Sequence, residues 1–284
     1  MRLGVIMTGV GAHGAAGIGV MRELERRHLE PFAVCGMQAG AWPAALFCSG
    51  AGLCGMEAAL TQAAHAGARL CESSASSRAV LRGTKEALSR GQRLQQLLRA
   101  QAGERIMALC PRPGLFLCRT ARSARRVIFS ARTYVQEAGA MLSLQASVSF
   151  AARAAMAMPP FLSPVEWMGS PLLPEEDIAF ACRQMLALGA HRVLVISPQP
   201  SQRRAFDALE LSCARLYAMR AEELPEHAAV LRVPMPECAG ALSLNRMTSC
   251  ADAGEQAARE ELDRLLGQLG MAYCRVLPFR RSLM

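Results

Sequence analysis

Residues 32–50 read FAVCGMQAGAWPAALFCSG and decide the fold class. The apolar run at 32–35 is bounded by a glycine and predicts a short buried strand. Residues 41–49 predict a buried helix, because a proline such as Pro43 is tolerated in the first turn of a helix. Only the five residues from Gly36 to Gly40 separate the two elements. The stretch therefore predicts a strand, a tight turn and a helix in direct succession.

The residues before this stretch repeat the same order of elements. Residues 2–8 are apolar and predict a buried strand, and residues 14–29 predict a helix after a glycine-rich turn. Strands alternating with helices at this spacing favour an α/β fold, with a central, mostly parallel sheet flanked by helices. We expect residues 3–8, 32–35 and 193–197 to form adjacent parallel strands of one sheet.

The rest of the chain is less regular, but it extends the same pattern. Leu94, Leu97 and Leu98 give one helix an apolar edge, which favours core packing over membrane contact. There is no internal repeat or linker, so residues 1–284 are predicted to form a single domain. The further predicted helices are 56–68, 84–101, 176–188 and 253–269, and the further predicted strands are 115–119, 126–131, 193–197 and 229–234.

Composition and charge limit the classes of function. The net charge of +9 comes almost entirely from arginine, but there is no run of five basic residues and aromatic residues make up only 5%. Nucleic acid is therefore not an expected partner. The 11 cysteines are scattered without a CxxC pair or zinc spacing, which predicts reduced thiols, no metal and a cytoplasmic location. Neither a signal peptide nor a membrane span is predicted, and no cofactor is expected.

The glycine-rich loop after the first strand has two interpretations. Gly9, Gly11 and Gly14 match the G-x-G-x-x-G pattern of dinucleotide-binding proteins. That pattern also needs an acidic residue at the end of the second strand, which here ends at Gly36 without one. Alternatively, the backbone N–H groups at the start of the helix stabilise an oxyanion during acyl transfer. The second interpretation predicts a nucleophile on a sharp turn after the next strand.

The turn at residues 36–40 has the frame of a G-x-S-x-G nucleophile elbow, with Gln38 at its centre. Gly36 and Gly40 supply the small residues that this sharp turn needs on either side. A glutamine amide is not a nucleophile, because the lone pair on its nitrogen is delocalised. The frame of the elbow is therefore predicted to be present without its reactive atom.

Together, these features resemble the patatin-like phospholipase family, in which a loop such as GGGxRG precedes G-x-S-x-G. Val10 replaces a glycine of that loop, and His13 replaces the usual arginine or lysine. The resemblance implies a three-layer patatin-like α/β fold, with an oxyanion hole built from amides around Val10, Gly11 and Ala12. The loop that the resemblance implies is Gly9, Val10, Gly11, Ala12, His13 and Gly14.

A second part of the resemblance lies at residues 153–169, which are similar to the family pattern RASxAxPxxFxPVxxxG, with Ala155 in place of the serine. A family member would next present Asp-Gly-Gly or Asp-Gly-Ala, whose aspartate is the base of a serine–aspartate dyad. This chain instead reads SPLLPEEDI at residues 170–178 and contains no Asp-Gly pair. Asp177 is the candidate for a surrogate acid. The resemblance covers most of residues 2–197.

No intact catalytic pair is therefore predicted, and the chain is expected to be an inactive patatin-like acyl hydrolase, or pseudoenzyme. Its expected partners are a lipid or acyl chain, another protein such as an active relative, and the membrane periphery. One alternative is an active lipid acyl hydrolase with a rewired site, for which His13, Cys35, Cys48 and Ser49 are the candidates. A second alternative is a nucleotide-binding protein. We also expect the Gln38 amide oxygen to accept hydrogen bonds from loop N–H groups.

Overall fold

A computed structural model describes residues 1–71, 83–159, 162–199, 224–237, 239 and 243–271. The strands are β1 Leu3–Met7, β2 Ala33–Gly36, β3 Gly114–Thr120, β4 Arg126–Ser130, β5 Met141–Ser143, β6 Val165–Trp167, β7 Ser170–Pro174, β8 Arg192–Gln199 and β9 Ala228–Pro234. The α-helices are α1 Ala16–Arg26, α2 Ala41–Cys48, α3 Leu53–Cys71, α4 Gly83–Ala102, α5 Val148–Ala155, α6 Ile178–Leu188 and α7 Met247–Gln268. Short 3₁₀ helices lie at Gly11–Ala15, Gln38–Gly40, Met107–Leu109 and Leu244–Arg246.

The strands form one mixed sheet in the order β5-β4-β3-β2-β1-β8-β9. Strand β1 lies between β2 and β8 and is parallel to both, which confirms the three adjacent parallel strands that the sequence predicts. Strand β3 pairs in parallel with β2 near its start and antiparallel with β7 near its end. The predicted fold class, a mostly parallel sheet flanked by helices, is confirmed.

Helices cover both faces of the sheet. Successive strand residues point to opposite sides, so each strand contributes apolar side chains to both layers. On one face, Val5, Met7 and Phe116 are fully buried beneath a layer that includes α1, α2, α5 and α7. On the other face, Ile6 and Leu117 are fully buried, and α6 packs there against β1, β2 and β8. The elements therefore make three layers, with the apolar core on both sides of the central strands.

Several elements differ from the sequence-based expectations. Strand β7 was not expected, because it contains Pro171 and Pro174, and proline cannot donate a ladder hydrogen bond. It forms because it pairs with the end of β3 and with β6. Helix α7 begins six residues before the predicted 253, at Met247. The assignment of residues 1–284 to one domain stays a prediction.

Helix α7 is held tightly against α1. A Cβ at Gly19 would collide with the carbonyl of Ala251, so the two backbones are in direct contact. The buried carboxylate of Glu23 accepts hydrogen bonds from the Arg26 and Arg27 side chains. Burial alone would raise the pKa of Glu23, but these arginines outweigh it and lower the pKa below its usual value. This packing fixes α7 beside the glycine-rich loop.

No helix in the described ranges is long and apolar enough to cross a membrane.

Candidate functional site

The turn after β2 has the geometry of an elbow. Gln38 has a φ of +51°, in the left-handed region that non-glycine residues rarely adopt. Backbone hydrogen bonds hold the turn, since the N–H of Met37 donates to the Met7 carbonyl at 3.0 Å and the N–H of Ala39 donates to the Gly9 carbonyl at 2.8 Å. Helix α2 follows after a single 3₁₀ turn. Strand, strained central residue and helix are therefore all present.

The two glycines of the turn are sterically required. A Cβ at Gly36 would lie 2.6 Å from the Cα of Ala41, at the start of α2. A Cβ at Gly40 would collide with the carbonyl group of Met7, at the end of β1. Both neighbours are backbone atoms, which cannot move aside as a flexible side chain can. The sharp turn therefore depends on glycine at both positions.

The glycine-rich loop follows β1 and leads into the 3₁₀ helix Gly11–Ala15. Gly9 and Gly11 have φ values of +129° and +55°, and the N–H of His13 donates to the Val10 carbonyl at 3.1 Å. The first N–H groups of a helix have no acceptor within it, and here they belong to Gly11 and Ala12. The loop thus presents the donors that an oxyanion hole needs, and that role stays a prediction.

The loop and the elbow are in contact through their backbones. A Cβ at Gly14 would lie only 2.5 Å from the carbonyl carbon and oxygen of Ala39. Gly11 and Gln38 both line the pocket that opens at this point. The structure therefore brings the two predicted segments together at one edge of the sheet, where β1 and β2 end.

The pocket beside Gln38 is almost entirely apolar. It is formed by the loop, the elbow, α2, α3, α4, the segment after α5 and the residues that begin α7. Apart from Gln38 and Arg90, every residue of the described lining is glycine or apolar, so this lining contains no hydroxyl, thiol, imidazole or carboxylate. The lining residues are Val10, Gly11, Gln38, Ala39, Trp42, Ala63, Arg90, Leu94, Leu97, Met156, Ala157, Met158, Leu162, Leu244 and Met247.

The Gln38 side chain does not hydrogen-bond to the loop as expected. Gln38 is partly exposed and lines the pocket, and its amide makes no hydrogen bond to any residue that the structure describes. The expectation that its amide oxygen accepts from Gly11 or Ala12 is therefore wrong for this structure. Gln38, with its left-handed backbone, is one of the residues that line the pocket.

The candidates for a rewired nucleophile or base do not line this pocket. The Nε2 of the buried His13 hydrogen-bonds to the carbonyl oxygen of Ala239 at 2.9 Å and so ties the loop to the C-terminal segment. Burial raises the pKa values of the Cys35 and Cys48 thiols well above the usual range, so neither is a thiolate at neutral pH. The hydroxyl of Ser49 donates to a carbonyl of its own helix at 2.9 Å.

Asp177 caps a helix and does not reach the elbow. Its Oδ1 accepts a hydrogen bond from the N–H of Phe180 at 2.8 Å, as the N-cap of α6. Its Oδ2 forms an ion pair with Arg126 at 2.6 Å. The buried neighbour Glu175 accepts the N–H groups of Glu176 and Asp177 and also pairs with Arg126. Asp177 thus caps a helix and is not part of the described pocket lining, and its role as a surrogate acid stays a prediction.

Most of the pocket wall is not evident from the sequence. The expected core packing of the α4 edge is confirmed, since Leu98 is fully buried and Leu94 and Leu97 pack against the core, but Leu94 and Leu97 also line the pocket. Leu244 and Met247 lie far from the two motifs in sequence and reach the pocket only through the packing of α7. The one signal for these residues was the apolar stripe along α4, which does not distinguish a core from a pocket wall.

Comparisons with known proteins agree with this geometry. Residues 5–173 match the family model described as patatin-like phospholipase. Comparison with curated protein sequences gives no significant match. Among solved structures, VipD from Legionella pneumophila aligns with a TM-score of 0.52 and 11% identity over 93% of this chain and 67% of VipD.

Two further structures align less closely. Human GIVD cytosolic phospholipase A2, in complex with methyl gamma-linolenyl fluorophosphonate, has a TM-score of 0.46 and 14% identity over 95% of this chain and 59% of that protein. ExoU from Pseudomonas aeruginosa, in complex with SpcU, has a TM-score of 0.39 and 15% identity over 92% of this chain and 53% of ExoU. This chain therefore spans little more than half the length of these two proteins.

Proposed function

The chain belongs to the patatin-like phospholipase family, whose model covers residues 5–173 of its 284 residues, and on this premise we propose that it binds the acyl chain of a lipid without hydrolysing an ester. The observation that carries the proposal is the pocket at Gln38. The pocket lies where the family resemblance implies a reactive serine. Its described lining is apolar except for the Gln38 amide and the Arg90 guanidinium.

The lack of hydrolysis follows from the chemistry of the lining. Nucleophilic catalysis of acyl transfer needs a nucleophile, such as a hydroxyl or a thiol, and a base within hydrogen-bond reach of it. Gln38 offers neither, and no other residue of the described lining carries a hydroxyl, thiol, imidazole or carboxylate. The loop amides of Gly11 and Ala12 could stabilise an oxyanion, but no group in the described lining attacks an ester to form one.

Binding of an acyl chain follows from the walls. Leucine, methionine and alanine side chains from three helices and two connecting segments face the same space. Each CH₂ group that moves from water into such a space stabilises the complex by about 0.8 kcal/mol. Methionine side chains such as Met156 and Met247 adapt their shape to a flexible ligand. An extended hydrocarbon chain is the ligand class that this lining suits best.

The two alternatives have less support. A rewired hydrolase would need His13, Cys35, Cys48 or Ser49 at the pocket, but each of them is engaged or buried elsewhere. A nucleotide would place its ribose and phosphates against polar groups, whereas the pocket next to the glycine loop is apolar. We therefore expect no change in melting temperature with NAD, FAD or ATP.

The regulatory side of the function is a proposal from the sequence. We propose a protein partner, such as an active relative, as the target of regulation, together with contact at the membrane periphery and a cytoplasmic location. Pull-down of an active patatin-like relative by the purified chain tests whether the two proteins bind. An assay of that relative at saturating amounts of this chain tests regulation, and an unchanged activity would contradict it.

Trp42 offers a direct test of acyl-chain binding. It lines the pocket, and the sequence contains only two tryptophans, so a Trp167→Phe variant leaves Trp42 as the only tryptophan. We expect a dibrominated fatty acid to quench this fluorescence saturably, because bromine quenches only at short range, while phospholipid and ester substrates yield no product. Quenching that stays linear with concentration, without saturation, would contradict binding in the pocket.

A further inference from the structure

A buried arginine, Arg153, is bonded to residues next to the pocket lining but is not itself one of the described lining residues. Arg153 of α5 is 1% exposed and is the largest fully buried side chain in the described residues. Its Nε–H donates to the carbonyl of Gly91 on α4 at 3.1 Å, and its Nη2 donates to the carbonyl of Ser163 at 2.5 Å. Arg90 and Leu162, the immediate sequence neighbours of these two acceptors, line the pocket. The guanidinium therefore ties together two walls of the pocket.

The chain accommodates this arginine specifically. A Cβ at Gly91 would collide with Nη2 of Arg153 and lie 2.9 Å from the hydroxyl oxygen of Ser163. Glycine is unfavourable inside a helix, and Gly91 lies well within α4. Helix α4 thus has a glycine at the one point where the guanidinium needs space.

The charge of Arg153 is not neutralised by the described residues. Its hydrogen bonds go to the carbonyls of Gly91 and Ser163 and, at 3.5 Å, to the Ser163 hydroxyl, and Nη1 has no partner among the described groups. Burial lowers the pKa of Arg153 to about 10, so the side chain keeps its proton and its charge at neutral pH. A buried charge without a counter-ion is unfavourable, and it interacts strongly with any charge that enters nearby.

The described lining of the pocket carries no group that would repel an anion. Its described lining has one cationic side chain, Arg90, and no carboxylate. The N–H groups of Gly11 and Ala12 at the start of the 3₁₀ helix add donors without an intrahelical acceptor. Arg153, Arg90 and these amides all give the pocket a positive potential.

From these observations we infer that the ligand is a single-chain amphiphile with an anionic head group, such as a free fatty acid, and that Arg153 sets the preference for the anion. This inference rests on the proposed function, because it names the class of acyl ligand that the same pocket binds. A fatty-acid carboxylate and an alkyl phosphate share the chemistry in question, and the experiment distinguishes them.

The test is a head-group series with one constant hydrocarbon chain. Oleate, oleyl phosphate, oleyl alcohol and methyl oleate each displace the dibrominated fatty acid from the Trp167→Phe protein, and recovery of Trp42 fluorescence gives their affinities. We expect at least one of the two anions to bind about tenfold or more tightly than both neutral ligands, a ratio that corresponds to about 1.4 kcal/mol. The tighter anion identifies the head group.

The outcomes separate the two proposals. Equal affinity of the anionic and neutral ligands would overturn the anionic head group and leave acyl-chain binding intact. Saturable binding of none of the four ligands would instead overturn the proposed function. The Trp167→Phe protein keeps every described side chain of the pocket lining, so the series compares the ligands in an unaltered pocket.

Arginine variants then assign the preference to its source. Arg153→Met should reduce the ratio of anionic to neutral affinity several-fold, while Arg153→Lys, which keeps the charge, should retain more of it. Arg93→Met removes a charge from the exposed side of α4 and should leave the ratio unchanged. An unchanged ratio in a folded Arg153→Met protein, or equal losses in Arg153→Met and Arg93→Met, would contradict the role of Arg153.

Discussion

The turn at residues 36–40 and the segment at residues 170–178 both lack a side chain that the family resemblance implies, but they differ in their backbone and side-chain contacts. At the turn the whole backbone frame persists, including the left-handed Gln38 and two glycines without space for a Cβ. In the second segment the strand β7 persists, while the carboxylates after it serve as a helix cap and as ion-pair partners of Arg126.

The difference has a physical cause. The glycines of the turn contact the backbones of β1 and α2, so they are needed for packing whether or not the turn carries a nucleophile. A catalytic base, in contrast, is a single side chain at the end of a strand, and the fold does not depend on it. Close backbone contacts therefore require the frame of the turn whatever side chain stands at its centre, whereas no such contact requires a particular side chain after β7.

The largest expected effect comes from the frame itself. Gly40→Ala should lower the free energy of unfolding by about 2–3 kcal/mol or more, because its Cβ meets the rigid Met7 carbonyl. Gly267→Ala is the matched control, since Gly267 lies in α7 with open space around it. It should stabilise the protein by about 0.5–1 kcal/mol. Chemical denaturation measures both, and equal effects in the two variants would show that the frame is not required.

The next effect concerns the pocket. Leu94→Asn places an amide in the apolar wall and should weaken acyl-chain binding about tenfold, at the cost of about 1.4 kcal/mol of binding free energy. Leu88→Asn on the same helix is the control, because Leu88 is 53% exposed and does not line the pocket. Titration of the Trp42 fluorescence with the dibrominated fatty acid measures the acyl-chain affinity of both variants. Equal loss of affinity in both variants would mean that the pocket is not the binding site.

A smaller effect is expected in the second segment. Asp177→Ala should lower the free energy of unfolding by about 1 kcal/mol, because α6 loses its N-cap. Asp177→Asn keeps a side-chain oxygen for the N–H of Phe180 and should be nearly neutral, since the partly exposed ion pair with Arg126 contributes little. Neither variant should alter acyl-chain affinity in the fluorescence titration. A loss of acyl-chain binding in a folded Asp177→Asn protein would show that Asp177 belongs to the binding site.

The sequence was sufficient for the fold and for the backbone of the site. The apolar strands around Val5, Val34 and Val195 and the glycines of the loop and elbow are local patterns, and the structure contains the predicted elements. The pocket walls were not predictable, because Leu97 and Met247 become neighbours only through tertiary packing. Arg153 begins the family pattern at residues 153–169, but its burial was not predictable, since it depends on packing against Gly91, 62 residues away in sequence.

The position of Gln38 tests the central claim most directly. The claim is that this chain keeps the frame of a hydrolase site without its chemistry, and the measurement is hydrolysis of short-chain acyl esters by the wild-type, Gln38→Ala and Gln38→Ser proteins. We expect all three to stay at the background rate, because a serine without a base lacks general-base assistance worth roughly 10²–10⁴-fold. Turnover by the wild-type protein that one substitution in the pocket abolishes would contradict the claim, as would fast turnover by Gln38→Ser.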